Sequence, residues 1–201
     1  MLVEGIKSRP VYHGLAIQPH ARRHLFVLEG EGALALLDQG SMLDDATLSR
    51  SEILYVARGS QGKGHDGALC RLGADMFFTA PTIGTLLFRL RGSLSTAHMG
   101  TRLYIAGTEG FIGQAMMVAL DLGMDHASIM TEHRGSLARR VQCVHCKGTT
   151  DDVTHSPFTC SHCGLSLLVR DHYSRRLGAF QGVNIDAEEP GSAPDPEELF
   201  L

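Results

Sequence analysis

Two Cys-x-x-Cys pairs constrain what this chain can fold into more tightly than any other feature of its sequence. Thirteen residues separate the pairs, which are formed by Cys143, Cys146, Cys160 and Cys163. Two thiolates spaced in this way can chelate one face of a tetrahedral ion, and two pairs complete its coordination shell. Gly164 follows the second pair and suits the left-handed turn that directs backbone amides towards the thiolates. The spacing therefore predicts a zinc ribbon or rubredoxin-like knuckle that binds one metal ion.

The identity of the metal is not decided by the spacing, because tetrahedral sulfur sites accept zinc or iron. The intervening residues 147–159 are polar and rich in turn formers, and they lack the aromatic cluster that would shield a redox-active iron. We therefore expect structural zinc, with iron as the alternative. Three histidines lie in or beside the pairs, and we expect them to be exposed loop residues rather than ligands: His145, His155 and His162.

The composition is that of an ordinary globular protein. The 201 residues suffice for one domain and a small appendage, and 43% of them are hydrophobic and 20% charged. A net charge of −4 and the absence of tryptophan argue against a nucleic-acid binder. One cysteine, Cys70, lies outside the metal pattern, and no signal peptide is recognised, which predicts a reducing cytoplasm. No apolar run reaches the roughly 18 to 20 residues that span a bilayer.

Short apolar runs alternate with helical stretches between His24 and Glu132, as they do in βαβ units. The predicted strands cover residues 24–28, 52–57, 74–79, 102–106 and 127–130. The predicted helices cover residues 33–37, 83–91 and about 110–122, where Gly123 would end the last helix in a left-handed conformation. This order predicts an α/β fold with a doubly wound, mostly parallel sheet, whose ligands usually lie beyond the carboxyl ends of the strands.

Four short elements of this region resemble the nicotinamide-binding domain of ferredoxin reductases, particularly the phthalate dioxygenase reductase branch. They are the glycine turn 29–32, the aromatic-x-Ala-Arg element 55–58, the turn 106–111 and the strand 129–132. The resemblance covers roughly residues 20–135. It implies that four glycines correspond to the dinucleotide-binding loops of that family: Gly30, Gly32, Gly107 and Gly110.

The departures from that family are also informative. Glu29 and Glu31 flank the first loop, where a pyrophosphate would require backbone amides and little negative charge. The family's Cys-Gly-Pro is replaced by residues 106–108, Ala-Gly-Thr, so the thiol near a nicotinamide ring is missing. Residues 1–20 are too few to form a flavin-binding barrel. We therefore expect a reductase-like fold reused for assembly, in which NAD(P)H binding is not expected.

A compact run of cations, aromatics and glycines follows the second cysteine pair, at residues 170–182. Such residues are frequent at protein interfaces, so the run predicts a docking segment, with packing against the ribbon as the alternative. The residues expected to contact a partner are His172, Tyr173, Arg175, Arg176 and Phe180. No nucleophile or paired carboxylate stands at a recognisable spacing, so no catalytic residue is predicted.

The composition changes after Val183, where six acidic residues and three prolines occur without any Lys or Arg. Removing these six from the 22 acids leaves 16 against 18 basic residues, so the body of the chain is formally +2. The segment predicts a disordered acidic tail, although residues 199–201, Leu-Phe-Leu, could anchor it in a partner's groove. The predicted organisation is an N-terminal extension 1–20, a reductase-like domain 21–138, a metal ribbon with docking segment 139–183, and a tail 184–201.

The reductase-like domain, the ribbon and the segment 171–183 together resemble the small DmmA-type subunit of bacterial dimethylamine monooxygenase. The resemblance implies a complex that demethylates dimethylamine to methylamine and formaldehyde with oxygen and a reduced nicotinamide. It also implies that haem, flavin and an iron–sulfur centre belong to partner subunits. This chain would then be a non-catalytic subunit that acts in assembly or in support of electron transfer.

Two other classes of function remain open at the level of sequence. A rubredoxin-like electron carrier would hold iron on the four cysteines and would be red when purified. A nucleic-acid-binding zinc ribbon is favoured by a mild basic bias, six Lys or Arg against three acids within residues 139–176. A solvated surface explains the same bias, and a nucleic-acid binder would show strongly salt-dependent binding.

Overall fold

The computed structural model describes residues 8–58 and 64–201, which form two compact units. One unit spans Tyr12–Gly135, and the other combines residues 8–11 with Ser136–Leu201. Residues 1–7 of the predicted N-terminal extension lie outside the described residues. Residues 12–20, which were expected to belong to that extension, are part of the larger unit.

The larger unit is built on five parallel strands in the order β3-β2-β1-β4-β5. The strands are β1 (Arg23–Glu29), β2 (Ser51–Val56), β3 (Met76–Ala80), β4 (Thr101–Gly107) and β5 (Ile129–His133). The helices are α1 (Gly32–Leu37), α2 (Asp45–Leu48), α3 (His65–Arg71), α4 (Ile83–Ser95) and α5 (Glu109–Asp121). The doubly wound parallel sheet is confirmed. The sequence patterns missed α2 and α3, which have four and seven residues and lack the continuous apolar stretch that indicated α1.

The central strands are buried on both faces, which is why they appear in the sequence as continuous apolar runs. Leu25 and Val27 belong to an apolar layer with residues of α4 and α5. Phe26 belongs to the opposite layer, with residues of α1 and α3. Leu15 and Ile17 join this second layer, so the segment before β1 is part of the core of the unit.

Helix α5 is delimited by local signals on both sides. Thr108 precedes it in an extended conformation, directly after β4. At its other end Gly123 has a φ of 76°, and the N–H groups of Gly123 and Met124 donate to the carbonyls of Leu120 and Ala119 at 3.0 Å. This pair of bonds is a Schellman motif, which confirms the predicted left-handed stop. The amino terminus of α5 is therefore held at the carboxyl end of β4.

The smaller unit is a β module. Its strands are β6 (Arg139–Cys143), β7 (Thr149–Val153), β8 (His155–Ser156), β9 (Phe158–Thr159), β10 (Ser166–Ser174), β11 (Ala179–Asn184) and β12 (Glu197–Glu198). Five of them form a sheet in the order β7-β6-β11-β10-β9, and β12 pairs with β8. The core combines apolar side chains with two of the cysteines, Cys143 and Cys160. A small β module following the α/β fold is thereby confirmed.

The prediction of a disordered acidic tail is wrong for the last residues of the chain. Strand β12 pairs antiparallel with β8, and Phe200 is only 8% exposed and packs in the core of the module. The acidic residues before it are mostly exposed, which agrees with their charge. The alternative for the Leu-Phe-Leu end was an anchor in a partner's groove, but Phe200 packs in the module of its own chain, and burial of a single phenylalanine contributes about 1.5–3 kcal/mol.

The longest helices of the larger unit, α4 and α5, have thirteen residues each. Across residues 8–58 and 64–201, no helix combines the length and the apolarity needed to cross a membrane.

Candidate metal centre and the crevice of the α/β unit

The two cysteine pairs lie in equivalent turns, at 143–148 and 160–165. In each turn the first cysteine's N–H donates to the carbonyl five residues later, at 2.9 Å, and its carbonyl accepts from the N–H four residues later, at 3.0 Å. The residue after the second cysteine is left-handed in both, with a φ of 64° at Lys147 and 74° at Gly164. The turn predicted at Gly164 is therefore present, and the first turn reaches the same conformation with a lysine.

The four thiol sulfurs form one compact group. All four Sγ atoms lie within 4.8 Å of one another, and the Cys143–Cys163 and Cys146–Cys160 pairs are both 3.8 Å apart. A tetrahedral ion with metal–sulfur bonds of about 2.3 Å requires sulfur–sulfur separations of about 3.8 Å. A disulfide would bring two sulfurs to about 2.05 Å. The cysteines therefore fit one tetrahedral ion, and the geometry is the same for zinc and for iron.

Because the thiols lie close together, the pKa values of Cys160 and Cys163 differ. Burial acts to raise the pKa of Cys160, but the N–H groups of Cys163 and His162 and the neighbouring thiols outweigh burial and lower it to about 7. The N–H of Leu165 acts to lower the pKa of Cys163, but burial and the other three thiols raise it to about 12. Successive ionisation in so small a group is opposed by like charge, so the fully ionised state requires a cation.

The three histidines near the pairs are not part of the thiol group. Among the described residues, the only group of potential metal ligands consists of the four cysteines. His145 and His162 are exposed, and His155 is half-buried on β8. The Nε2 atom of His162 lies 2.9 Å from the Thr149 carbonyl, and its ring lies where a Cβ at Gly148 would overlap it. His162 thus joins the second turn to the first without binding the metal.

The predicted docking segment forms the hairpin of β10 and β11. His172, Arg175 and Arg176 are exposed, as an interface would require. Tyr173 and Phe180 are 9% and 1% exposed, and their rings meet edge to face at 5.0 Å inside the module. The prediction that these two aromatics contact a partner is therefore wrong. They are directly opposite each other on neighbouring strands, so both side chains lie on the core side of the sheet.

The larger unit contains the crevice where doubly wound sheets bind ligands, because the strand order reverses between β1 and β4. Glu29, the last residue of β1, is 1% exposed in this crevice. One of its carboxylate oxygens accepts from the backbone N–H of Thr108 at 2.9 Å and from its hydroxyl at 2.6 Å. The other oxygen accepts from Arg58 at 2.9 Å. The carboxylate therefore lies at the amino terminus of α5, where a phosphate would bind in a nucleotide-binding relative of this fold.

The four predicted loop glycines lie at the ends of β1 and β4 and in the first turns of α1 and α5. Gly30 follows β1 and has a φ of 52°, and Gly107 is the last residue of β4 and has a φ of 152°. A Cβ at Gly107 would lie 2.8 Å from the Glu29 Cβ, and a Cβ at Gly32 would overlap the Ala106 carbonyl. Gly110 lies in the first turn of α5 and is half-buried. The glycines thus permit close packing of α1, β4 and Glu29.

Two further carboxylates near the ends of the strands are held by the segment before β1. The Tyr12 hydroxyl donates to Glu109 at 3.0 Å, at the start of α5. The backbone N–H of Leu15 donates to Glu132 at 2.8 Å, and Arg134 donates to the second oxygen of Glu132 at 2.7 Å. These contacts were not predicted from the sequence, because the segment 12–18 shows no periodic pattern that would place it against the sheet.

Comparison with solved structures finds fold-level similarity at low identity. The flavohem-like FAD/NAD binding domain of nitric oxide dioxygenase from Vibrio cholerae O1 biovar El Tor is 17% identical, with a TM-score of 0.46 over 63% of this chain and 56% of that one. The ferredoxin reductase of carbazole 1,9a-dioxygenase is 14% identical, with a TM-score of 0.40 over 56% of this chain and 32% of that one. This chain spans less than two thirds of either protein.

Comparison with known sequences gives a stronger result. The heme-dependent oxidative N-demethylase delta subunit of Ectopseudomonas mendocina (strain ymp) is 31% identical over 151 residues, which cover 73% of this chain and 86% of the relative. Residues 4–129 match the N-terminal domain of the dimethylamine monooxygenase subunit DmmA-like family, and residues 140–183 match its C-terminal domain. Since the two matches include most of the α/β unit and the metal module, this chain belongs to the DmmA-like family of dimethylamine monooxygenase subunits.

Proposed function

We propose that this chain is a non-catalytic subunit of a multisubunit, haem-dependent oxidative N-demethylase that acts on dimethylamine. The complex would convert dimethylamine, oxygen, reduced nicotinamide and a proton into methylamine, formaldehyde, oxidised nicotinamide and water. Haem, flavin and the iron–sulfur centre would lie on partner subunits in the cytoplasm. Family membership and the name of the 31% identical relative support this proposal.

The observation that carries the non-catalytic role is the position of Glu29. A dinucleotide pyrophosphate would need the amino terminus of α5, and the Glu29 carboxylate already accepts hydrogen bonds from Thr108 there. Its negative charge would repel a second anion. Displacing it would also separate this buried carboxylate from Arg58, and a buried carboxylate that loses its partner is costly. The α/β unit therefore acts as a scaffold that does not bind NAD(P)H.

The metal module acts as a structural element with bound zinc. Four cysteine ligands close the tetrahedral shell, so no coordination position is open for a substrate or an activated water. The exposed side chains of His172, Arg175 and Arg176 then provide a surface for a partner subunit. Arginine is among the residue types most often found as interface anchors.

The test compares the native complex with the isolated chain. The complex is purified through an N-terminal tag on this chain, and formaldehyde release from dimethylamine, haem, flavin, iron and zinc are measured. The isolated chain is analysed for metal and visible absorption, and NADH and NADPH are titrated into it by calorimetry. We expect an active complex and an isolated chain with one zinc ion, no visible absorption and no dinucleotide binding.

Three results would contradict the proposal in different ways. A red isolated chain with one iron ion would indicate the rubredoxin-like electron carrier. A dissociation constant near micromolar for NADH or NADPH would indicate a catalytic α/β unit. Purification of this chain without any haem protein, and without demethylation of dimethylamine, would contradict its place in the complex.

A further inference from the structure

The β module contains a groove that the last five residues of the same chain fill. After β12 has paired with β8, the N–H groups of Leu199 and Phe200 both donate to the Thr154 carbonyl, at 3.0 and 2.9 Å. The N–H of Leu137 donates to the carbonyl of Leu201 at 2.8 Å. An extended segment that adds a short strand to a folded module is a common mode of peptide recognition.

A single side chain anchors this segment. Phe200 is 8% exposed, whereas its neighbours Leu199 and Leu201 are 52% and 69% exposed. The guanidinium of Arg139 lies 4.0 Å from the ring centroids of both Phe200 and Phe180. Arg139 is itself 4% exposed and forms an ion pair of 2.6 Å with Asp171. The phenylalanine therefore completes a cation–π pocket that the module builds from its own buried residues.

The residues that lead to this segment lie outside the core of the module. None of residues 185–196 is buried, and they contain three prolines and four acidic residues. Such a linker holds an attached ligand near its site at an effective concentration of about millimolar. In the strand pairing of β12 with β8, Glu198 is opposite His155.

We propose that residues 197–201 are a tethered, exchangeable peptide ligand of the β module. The groove is then a binding site for an extended segment that carries a phenylalanine. The chain's own residues 197–201 occupy the site, and a second peptide of this chemistry binds only when they leave. The inference does not depend on the identity of the metal or on the substrate of the complex.

The experiment uses the chain shortened to residues 1–194 and a fluorescent peptide of residues 195–201. We expect saturable binding by fluorescence anisotropy to the shortened, metal-bound chain, and at least about tenfold weaker binding to the full chain, whose site is filled. A peptide with Phe200→Ala should bind at least about tenfold more weakly, and the matched Leu199→Ala peptide within about twofold of the parent.

Two outcomes with the shortened chain would overturn the proposal. One is a metal-bound shortened chain that does not bind the peptide, and the other is equal binding of the Phe200→Ala peptide. If the shortened chain loses its metal or its fold, residues 197–201 are required for folding of the module and the proposal fails as well. Amide hydrogen exchange on the intact chain gives an independent answer. Exchange at Leu199 and Phe200 should be at least about tenfold faster than at Phe180, and equal rates would contradict an exchangeable segment.

Discussion

The α/β unit and the β module of this chain are stabilised in different ways. The α/β unit has two apolar layers of sixteen and twelve buried residues, one on each face of its sheet. Among the described residues, the β module has one cluster of ten, and two of these are Cys143 and Cys160. A core of this size rarely stabilises a fold alone, so we expect a metal ion on the four cysteines to supply much of the stability of the module. Substitutions in one unit should therefore leave the other folded.

The largest effect is expected for Cys160→Ser. Structural zinc contributes on the order of 10 kcal/mol of apparent binding free energy in small finger peptides at pH 7, so losing one ligand should unfold the module. Metal analysis and limited proteolysis should show loss of the ion and cleavage within 136–201, with residues 12–135 intact. Cys70→Ser is the matched control, because Cys70 is exposed on α3 and should leave the metal content unchanged. Full metal content in the Cys160 variant would refute the four-thiolate site.

For Phe26→Ala we expect the opposite result, in which the α/β unit loses stability and the β module stays folded. Phe26 is fully buried and stacks on Tyr104 at 4.7 Å, so its truncation should cost about 3–5 kcal/mol of unfolding free energy. Chemical unfolding followed by circular dichroism measures the loss, and the metal content should not change. Phe88→Ala, on the 80% exposed Phe88, is the control with little expected effect. Release of the metal in the Phe26 variant would show that the two units do not unfold independently.

A smaller effect is expected for Glu29→Gln, which keeps the size of the side chain and removes its charge. The amide retains one acceptor oxygen, but it brings an NH₂ group towards donors that now face the carboxylate. We expect a loss of about 1–3 kcal/mol in unfolding free energy. Glu31→Gln, in the same turn but only half-buried, should be neutral by the same measurement. Equal unfolding free energies of the two variants would show that Glu29 is not the side chain that fills the crevice.

Acid should also destabilise the α/β unit, because His24 is buried in it. Burial, and next the charge of Arg50, lower the pKa of His24 from 6.5. The unfolded chain therefore binds this proton more readily, so the contribution of His24 to stability is full above pH 6.5 and declines as the pH falls towards the folded-state pKa. Amide exchange in β1 at pH 7.5 and 5.5 should show the loss of stability, and the loss should be smaller in His24→Phe. An unchanged pH dependence in the variant would exclude His24 as its source.

The smallest effect on stability is expected for the double change Arg175→Ala and Arg176→Ala. Both side chains are exposed at the hairpin of the module, so the unfolding free energy should change by less than about 0.5 kcal/mol. Copurification of partner subunits should fall, because exposed arginines are the part of the predicted docking segment that remains available. Tyr173→Ala offers a contrast, since it should destabilise the module itself. Undiminished copurification of the double variant would place the interface elsewhere.

The elements that were predicted correctly are those whose signals are local. The cysteine spacing and Gly164 indicate a knuckle within six residues, and the thiol group has the separations that a tetrahedral ion requires. The three central strands of the sheet, β2, β1 and β4, were recognised because buried parallel strands are continuous apolar runs. Helix α3 was missed because its seven residues contain only a short apolar stretch and do not establish a helical period.

The sequence by itself thus determined the fold class and the turn at Gly164, because each depends on residues that are neighbours along the chain. Only the tertiary structure decided what fills the crevice and the groove. Glu29 meets Thr108 across 79 positions, and Phe200 packs beside Arg139 from the far end of the chain. The tertiary structure also placed Tyr173 and Phe180 in the core instead of on the surface. These outcomes depend on which distant segments the sheets bring together, and local spacing and composition carry no information about such pairs.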